Sequence, residues 1–205
     1  MRRLLLLDFD HTLFDTAAFW PFFAQSLALA TGEPPEALAR DYSTFSVGSG
    51  RTRHTDFQAM LAAHHITAPE VARALGSVAA GHDFLYSDAR ELLSDPAALQ
   101  EQYDVEILTF GDENFQAMKI GLVPQLESMR AHIVHELKAD YISRALPGRS
   151  GVLVDDTPHQ ELGAGWIEVN IDRTRAPHAP IELSPTIFRI SDLRDLSNVL
   201  AHTPA

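Results

Sequence analysis

The stretch Leu4-Leu5-Leu6-Leu7-Asp8-Phe9-Asp10-His11-Thr12 decides how the rest of the chain reads. A short apolar run that stops at charged residues is the pattern of a strand buried on both faces. In extended chain, residues two apart share a side, so Asp8 and Asp10 are expected to project together at its end. Two carboxylates that close repel unless a cation sits between them or one is protonated. Taken alone, the motif fits equally a strand leading into a helix that Asp10 or Thr12 caps. Arg2 and Arg3 before the leucines imitate a signal peptide, but the run ends after four residues, short of the ~7–15 such a segment needs.

Working outward, compact apolar runs mark further strands at Val105–Thr109, His132–His135 and Gly151–Asp155, then at Gly165–Ile171 and Thr186–Ile190. Helix-like spacing separates them, over Glu113–Gly121, Ala139–Ala145 and His159–Ala164, with Asp192–Ala201 at the end. Alternation of strand and helix predicts an α/β fold, a doubly wound parallel sheet wrapped by helices. Between the first strand and the rest lies a different kind of sequence. Thr16–Thr31, Pro35–Tyr42, Thr55–His64 and Pro69–Ala80 all have helical spacing, with no convincing strand among them. The expected organisation is a core of residues 1–14 and 88–205, interrupted by an all-helical cap over 15–87. Gly48-Ser49-Gly50 reads as a loop within that cap, and the Pro-rich Ala176–Pro185 as an irregular surface strap.

Composition bounds the function. The chain has 205 residues, 45% hydrophobic and 21% charged, with a net charge of −12. That balance is globular, and it argues against nucleic acid or an anionic membrane surface as partner. No run approaches the ~20 apolar residues of a membrane span, so a cytoplasmic protein is expected. The absence of cysteine removes disulfides, thiolate metal sites and cysteine nucleophiles together.

Three features then join Asp8 and Asp10. Thr109 ends the second strand in Ile107-Leu108-Thr109-Phe110-Gly111-Asp112, Lys138 follows the third, and Asp155-Asp156 closes the fourth. Ligands of open parallel sheets gather outside the carboxyl ends of the strands, where all these residues fall. Four carboxylates, a hydroxyl and an ammonium suit a divalent cation with a phosphoryl group.

In this order (Asp-x-Asp-x-Thr, then Thr, Lys and an acidic pair) the residues resemble the haloacid dehalogenase-like (HAD) hydrolase superfamily. The likeness covers residues 1–14 and about 88–171, and the helical stretch falls where capped members carry their cap. The family's common Lys-Pro is Lys138-Ala139 here, and Lys119 is the rival lysine, read as a surface or helix-flank residue. The resemblance implies a Mg²⁺-dependent phosphatase acting on a small soluble phosphomonoester. Asp8 would be the nucleophile that forms an aspartyl-phosphate, and Asp10 the acid and base. Thr109 and Lys138 would hold the phosphoryl group. The metal ligands would be Asp8, the backbone carbonyl at Asp10, and Asp155, with Asp156 auxiliary. Dehalogenases and phosphonate-cleaving members lack the second Asp, so Asp10 favours phosphoester chemistry. Thr12, Phe110, Gly111, Arg51 and His11 are candidate substrate contacts, and Arg53 stands near Arg51 on the far side of the glycine loop.

Two alternatives use the same residues. A phosphomutase or phosphotransferase differs only in the hydroxyl that traps the intermediate. A receiver-type signalling module also combines an acidic pair, an acceptor Asp, Thr and Lys, but in another chain order and without a large insertion. The ten histidines, among them His132, His135 and His159, form no metal-ligand spacing and are expected at the surface or in the core.

Overall fold

The computed structural model describes residues 2–95, 99–158, 162–176 and 179–201. Its main sheet has seven strands. In chain order these are β1 (Arg3–Leu7), β4 (Tyr103–Phe110), β5 (Ala131–Val134), β6 (Gly151–Asp155), β7 (Trp166–Ile171), β8 (Ile181–Ser184) and β9 (Ile187–Ile190). The spatial order is β5-β4-β1-β6-β7-β9-β8. Every neighbouring pair is parallel except β8 with β9. Strand β1 lies between β4 and β6, the point from which the chain winds both ways, so its carboxyl end opens the crevice where such sheets bind ligands.

The leucine run explains that central place. Leu4, Leu5, Leu6 and Leu7 are all 0% exposed. Leu5 and Leu7 pack with Val105, Ile107, Val152 and Val154 on one face, while Leu4 and Leu6 pack with Leu108, Leu153, Val134 and Ile142 on the other. The period-two alternation of a strand thus feeds two hydrophobic layers from one unbroken run.

Between β1 and helix α5 (Ser87–Ser94) stand four helices: α1 (Thr16–Thr31), α2 (Pro35–Tyr42), α3 (Phe57–Ala63) and α4 (Ala68–Val78). Asp15 caps α1 by accepting from the Ala18 amide, and Thr67 with Glu70 forms a capping box on α4. Asp56 caps α3, which therefore starts two residues later than its periodicity suggests. The segment is not wholly helical. Strands β2 (Ser46–Val47) and β3 (His54–Thr55) pair antiparallel around the glycine loop. Two residues each are too few for alternation to show.

The two connections between this segment and the sheet run side by side, the Asp15 amide donating to the Phe84 carbonyl and the Tyr86 amide to the Leu13 carbonyl. Phe9 and Phe14 stack at 4.7 Å, Phe14 meets Phe19 and Phe84, and Phe23 and Phe57 meet Phe115 at 5.0 and 5.1 Å. Phe115 belongs to helix α6 (Glu113–Ile120) of the sheet layer. One continuous aromatic core therefore joins the helical segment to the sheet.

Two expectations near the carboxyl terminus fail. Leu162–Ala164 is not helical, and residues 159–161, with His159, lie outside the described residues. The supposed strap contains β8, an edge strand whose residues are largely exposed, which hides its period from the sequence. Residues 193–201 form a 3₁₀ turn, Leu193–Asp195, and helix α8, Leu196–Ala201. Among the described residues no helix is long and apolar enough to cross a membrane.

Candidate active site

The carboxyl ends of β1, β4 and β6 and the start of helix α7 (Lys138–Ala145) surround a cavity of about 410 Å³. Asp8, Asp10, Thr109, Lys138, Asp155 and Asp156 all line it. The six residues that the sequence scatters over four segments are thus brought together.

Asp8 leaves β1 with its amide bonded to the Val154 carbonyl at 2.9 Å, so the sheet itself fixes its backbone. Thr12 donates to one Asp8 oxygen at 3.0 Å and Lys138 to the other. Lys138 also reaches Asp155 at 2.5 Å and is 5% exposed. Burial pushes the Lys138 ammonium down, but Asp8 and Asp155 outweigh it and hold it above its ordinary value. Asp8 is raised as well: burial lifts it well above its ordinary value, with Asp155 and Asp156 adding to the rise against Lys138. Asp156 is raised too, by burial and by Asp155. Backbone geometry at the acidic pair is set from β7, where Asn170, opposite Asp155 in the register, donates to the carbonyls of Asp155 and Asp156 at 3.2 and 3.1 Å.

One oxygen from each of Asp8, Asp155 and Asp156 falls within 4.8 Å of the others. Three hard oxygen donors that raise one another's proton affinity, balanced by a single lysine, are a donor set that fits Mg²⁺. The Asp10 carboxylate is not part of that cluster.

Asp10 instead turns toward α6. Lys119 donates to both its oxygens at 2.6 Å, Gln116 to one at 2.8 Å and Thr16 to the other at 2.6 Å. Burial raises the Asp10 carboxyl, but the Lys119 charge and these hydrogen bonds outweigh it and hold it below its ordinary value. Lys119 is therefore not the surface residue its helix position suggests: it is 2% exposed and ringed by Phe9, Phe14 and Phe115. Gln116 and Lys119 share the buried part of α6 with Phe115: Phe115 packs into the aromatic core, and the two polar side chains reach through to Asp10. The available signal was a polar pair three apart in a helix that starts at the carboxyl end of β4.

The remaining candidates separate. Thr109 is 1% exposed, and among the described residues its hydroxyl has no hydrogen-bond partner, which leaves it able to bond a ligand oxygen. Phe110 and His11 line the cavity. His11 adopts φ +59°, a turn conformation that His tolerates better than most residues. Thr12, expected as a substrate contact, is 0% exposed and donates to Asp8, a position that orients that carboxylate. Arg51 lies in the 3₁₀ turn Gly50–Thr52, and its side chain is outside the described residues. Gly111, at φ +144°, leaves room for Gln116: a Cβ there would lie 2.8 Å from the Gln116 amide nitrogen.

Sequence reasoning also missed Arg173, in the turn after β7. Its guanidinium donates to the carbonyls of His11 (3.0 Å) and Thr12 (2.5 Å) and to Asp88 at 2.9 Å, and stacks 3.8 Å from the Tyr86 ring. Asp88, 2% exposed, also accepts from the Leu193 amide. Arg173 thereby ties the turn after Asp10 to the start of α5. No local pattern announces a contact made across 161 residues.

No protein-family model matches the sequence, and a search of curated proteins gives no match. Solved structures do resemble it. A haloacid dehalogenase-like hydrolase from Burkholderia xenovorans LB400 is 20% identical, with TM-score 0.63 over 100% of this chain and 99% of that one. The HAD hydrolase YfnB from Bacillus subtilis, bound to magnesium, is 22% identical, with TM-score 0.58 over 97% and 98%. A 2-haloacid dehalogenase from Pseudomonas syringae pv. tomato DC3000 is 18% identical, with TM-score 0.53 over 100% of both chains. The topology, with its parallel sheet and the long insertion after β1, is that of the haloacid dehalogenase-like fold.

Proposed function

We propose that the protein is a Mg²⁺-dependent phosphatase that hydrolyses a small phosphomonoester in the cytoplasm, with residues 15–87 as its cap. The carrying observation is the pair of separately held carboxylates: Asp8 on Lys138 and the acidic cluster, Asp10 on Lys119. A halide leaves without a proton, whereas an alkoxide needs one, and a second carboxylate dedicated to that task belongs to ester chemistry.

An Asp8 oxygen attacks phosphorus and the bond to the leaving oxygen breaks, which forms an aspartyl-phosphate. Asp10 gives the leaving oxygen its proton, supplied through the Lys119 ammonium that donates to both Asp10 oxygens. Asp10 then takes a proton from the water that attacks phosphorus and passes it back to Lys119, so that phosphate is released and Asp8, Asp10 and Lys119 are all restored. The Thr109 hydroxyl and the Lys138 ammonium hold the transferred group, which is a task of position and charge. Asp8, Asp155 and Asp156 would hold Mg²⁺, which would supply charge neutralisation for the phosphoryl oxygens. The partner is a small phosphorylated molecule rather than nucleic acid or membrane, as the charge of −12 supports.

The test is phosphate release from p-nitrophenyl phosphate. Turnover should require Mg²⁺, stop on chelation, and vanish in Asp8→Asn. Turnover that survives either treatment sinks the assignment.

A further inference from the structure

A second chamber, of about 360 Å³, adjoins the first and shares Asp10, His11, Arg53 and Phe110 with it. It lies between α6 and the helical segment, and the mechanism above leaves it without a task. Two of its polar groups have bonding capacity that no described residue uses up: the Gln116 oxygen has no hydrogen-bond partner and the Arg53 guanidinium has no carboxylate. The Gln116 amide nitrogen donates to Asp10 and to the Phe110 carbonyl, each at 2.8 Å. Both partners are acceptors, so the orientation of the amide is fixed and its oxygen is left over. That oxygen is buried and has no hydrogen-bond partner among the described residues, in a residue 4% exposed. A buried acceptor left unpaired costs stability that a ligand's donor would restore.

The second group is Arg53, delivered to the rim by the β2–β3 hairpin. Its Nε donates to the Ser46 hydroxyl at 3.2 Å, and among the described residues it forms no ion pair. The other cation of the chamber, Lys119, is already neutralised by Asp10. In a chain of net charge −12, a cation that stays clear of carboxylates at a cavity mouth is open to an anion from outside. Trp20 and Phe115 supply apolar wall between these two polar points.

We infer that this chamber receives the alcohol half of the phosphomonoester, and that this half carries two groups: a hydroxyl or ammonium donor for the Gln116 oxygen and an acidic group for Arg53. The substrate class is thus the phosphorylated small hydroxy or amino acid. The inference rests on the phosphatase reading and narrows it. A guanidinium fork matches a carboxylate in geometry as well as charge, so its removal should be felt selectively.

Three phosphomonoesters separate the terms: ethyl phosphate has neither group, O-phosphoethanolamine has the donor, and O-phosphoserine has donor and carboxylate. With Mg²⁺, kcat/KM should rise along this series, by about ten-fold or more at each step, as a charged hydrogen bond allows. Arg53→Ala should erase the preference for phosphoserine over phosphoethanolamine, mainly through KM, and Arg53→Lys should restore part of it. Calorimetric binding to Asp8→Asn, where nothing turns over, should give the same order. Equal loss on all three esters in Arg53→Ala would assign Arg53 to the transferred phosphoryl group and overturn the inference. A flat series, with p-nitrophenyl phosphate still hydrolysed, overturns it while sparing the phosphatase reading. Failure on p-nitrophenyl phosphate as well removes both.

Discussion

Replacing Lys119 by Met should cost the protein far more stability than its place in a short helix suggests, and the cost should depend on pH. The Lys119 ammonium lies 2.6 Å from both Asp10 oxygens, with 3% of its side chain and 24% of the Asp10 side chain exposed. Removal of one partner of a buried pair typically costs about 3–5 kcal/mol, because the other charge stays buried. Protonation sets a ceiling. At about pH 7, a carboxyl with an ordinary pKa of about 3.9 can be neutralised for about 4 kcal/mol, and at about pH 5 for about 1.5 kcal/mol. Lys119→Met should therefore lose about 3–4 kcal/mol at about pH 7 and roughly half of that or less at about pH 5. The sign follows from linkage. In the parent protein Asp10 is held below its ordinary value, so its contribution is present above the unfolded pKa and is lost as pH falls through the folded one. In the variant the lone carboxyl binds a proton more tightly folded than unfolded, so lower pH helps it. Urea unfolding at both pH values measures the difference. The double variant Lys119→Met/Asp10→Asn, which buries no charge, should regain about 2 kcal/mol or more of the loss at about pH 7. A loss below about 1 kcal/mol, or one equal at both pH values, would show that the pair is not the buried unit described above.

Other perturbations read separate parts of the site. Arg173→Ala removes a cation from Asp88 and from the carbonyls of His11 and Thr12, so unfolding in urea should show a loss of about 3 kcal/mol or more. Gly111→Ala puts a Cβ 2.8 Å from the Gln116 amide nitrogen at φ +144°, and phosphatase kcat should fall with the displaced Gln116, by roughly ten-fold if one Asp10 hydrogen bond goes. Without metal, Asp8 is raised by burial and by its acidic neighbours, so Asp8→Asn should melt no lower than the parent protein. Mg²⁺ at about a hundred times its Kd should stabilise the parent by about 2.7 kcal/mol and Asp8→Asn by much less, as thermal unfolding would record.

What could be read in the sequence, and what could not, follows from the reach of each signal. The strands that build the site end at Asp8, Thr109 and Asp155; β1 and β6 are unbroken apolar runs buried on both faces, and β4 carries Glu106 but buries Val105, Ile107 and Leu108. Their ends locate the functional groups without further information. Lys119 and Gln116 stayed hidden because burial against a polar site gives a helix no apolar stripe, and a lysine reads as exposed unless its carboxylate partner is known. Strands β2 and β3 have two residues each, and β8 has four that are largely exposed, so alternation is too short in the first two and too wet in the third to register. The Arg173 contacts depend wholly on tertiary placement.

In the proposed reaction Asp8 attacks phosphorus and water then attacks the same phosphorus. A single turnover of p-nitrophenyl phosphate in water enriched in heavy oxygen, with enzyme in excess, tests it directly by mass spectrometry of both products. The account predicts heavy oxygen in the released phosphate and none in the peptide that carries Asp8. Heavy oxygen in the Asp8 carboxyl would mean that water attacks the carboxyl carbon, as hydrolysis of a carbon ester requires, and would contradict it.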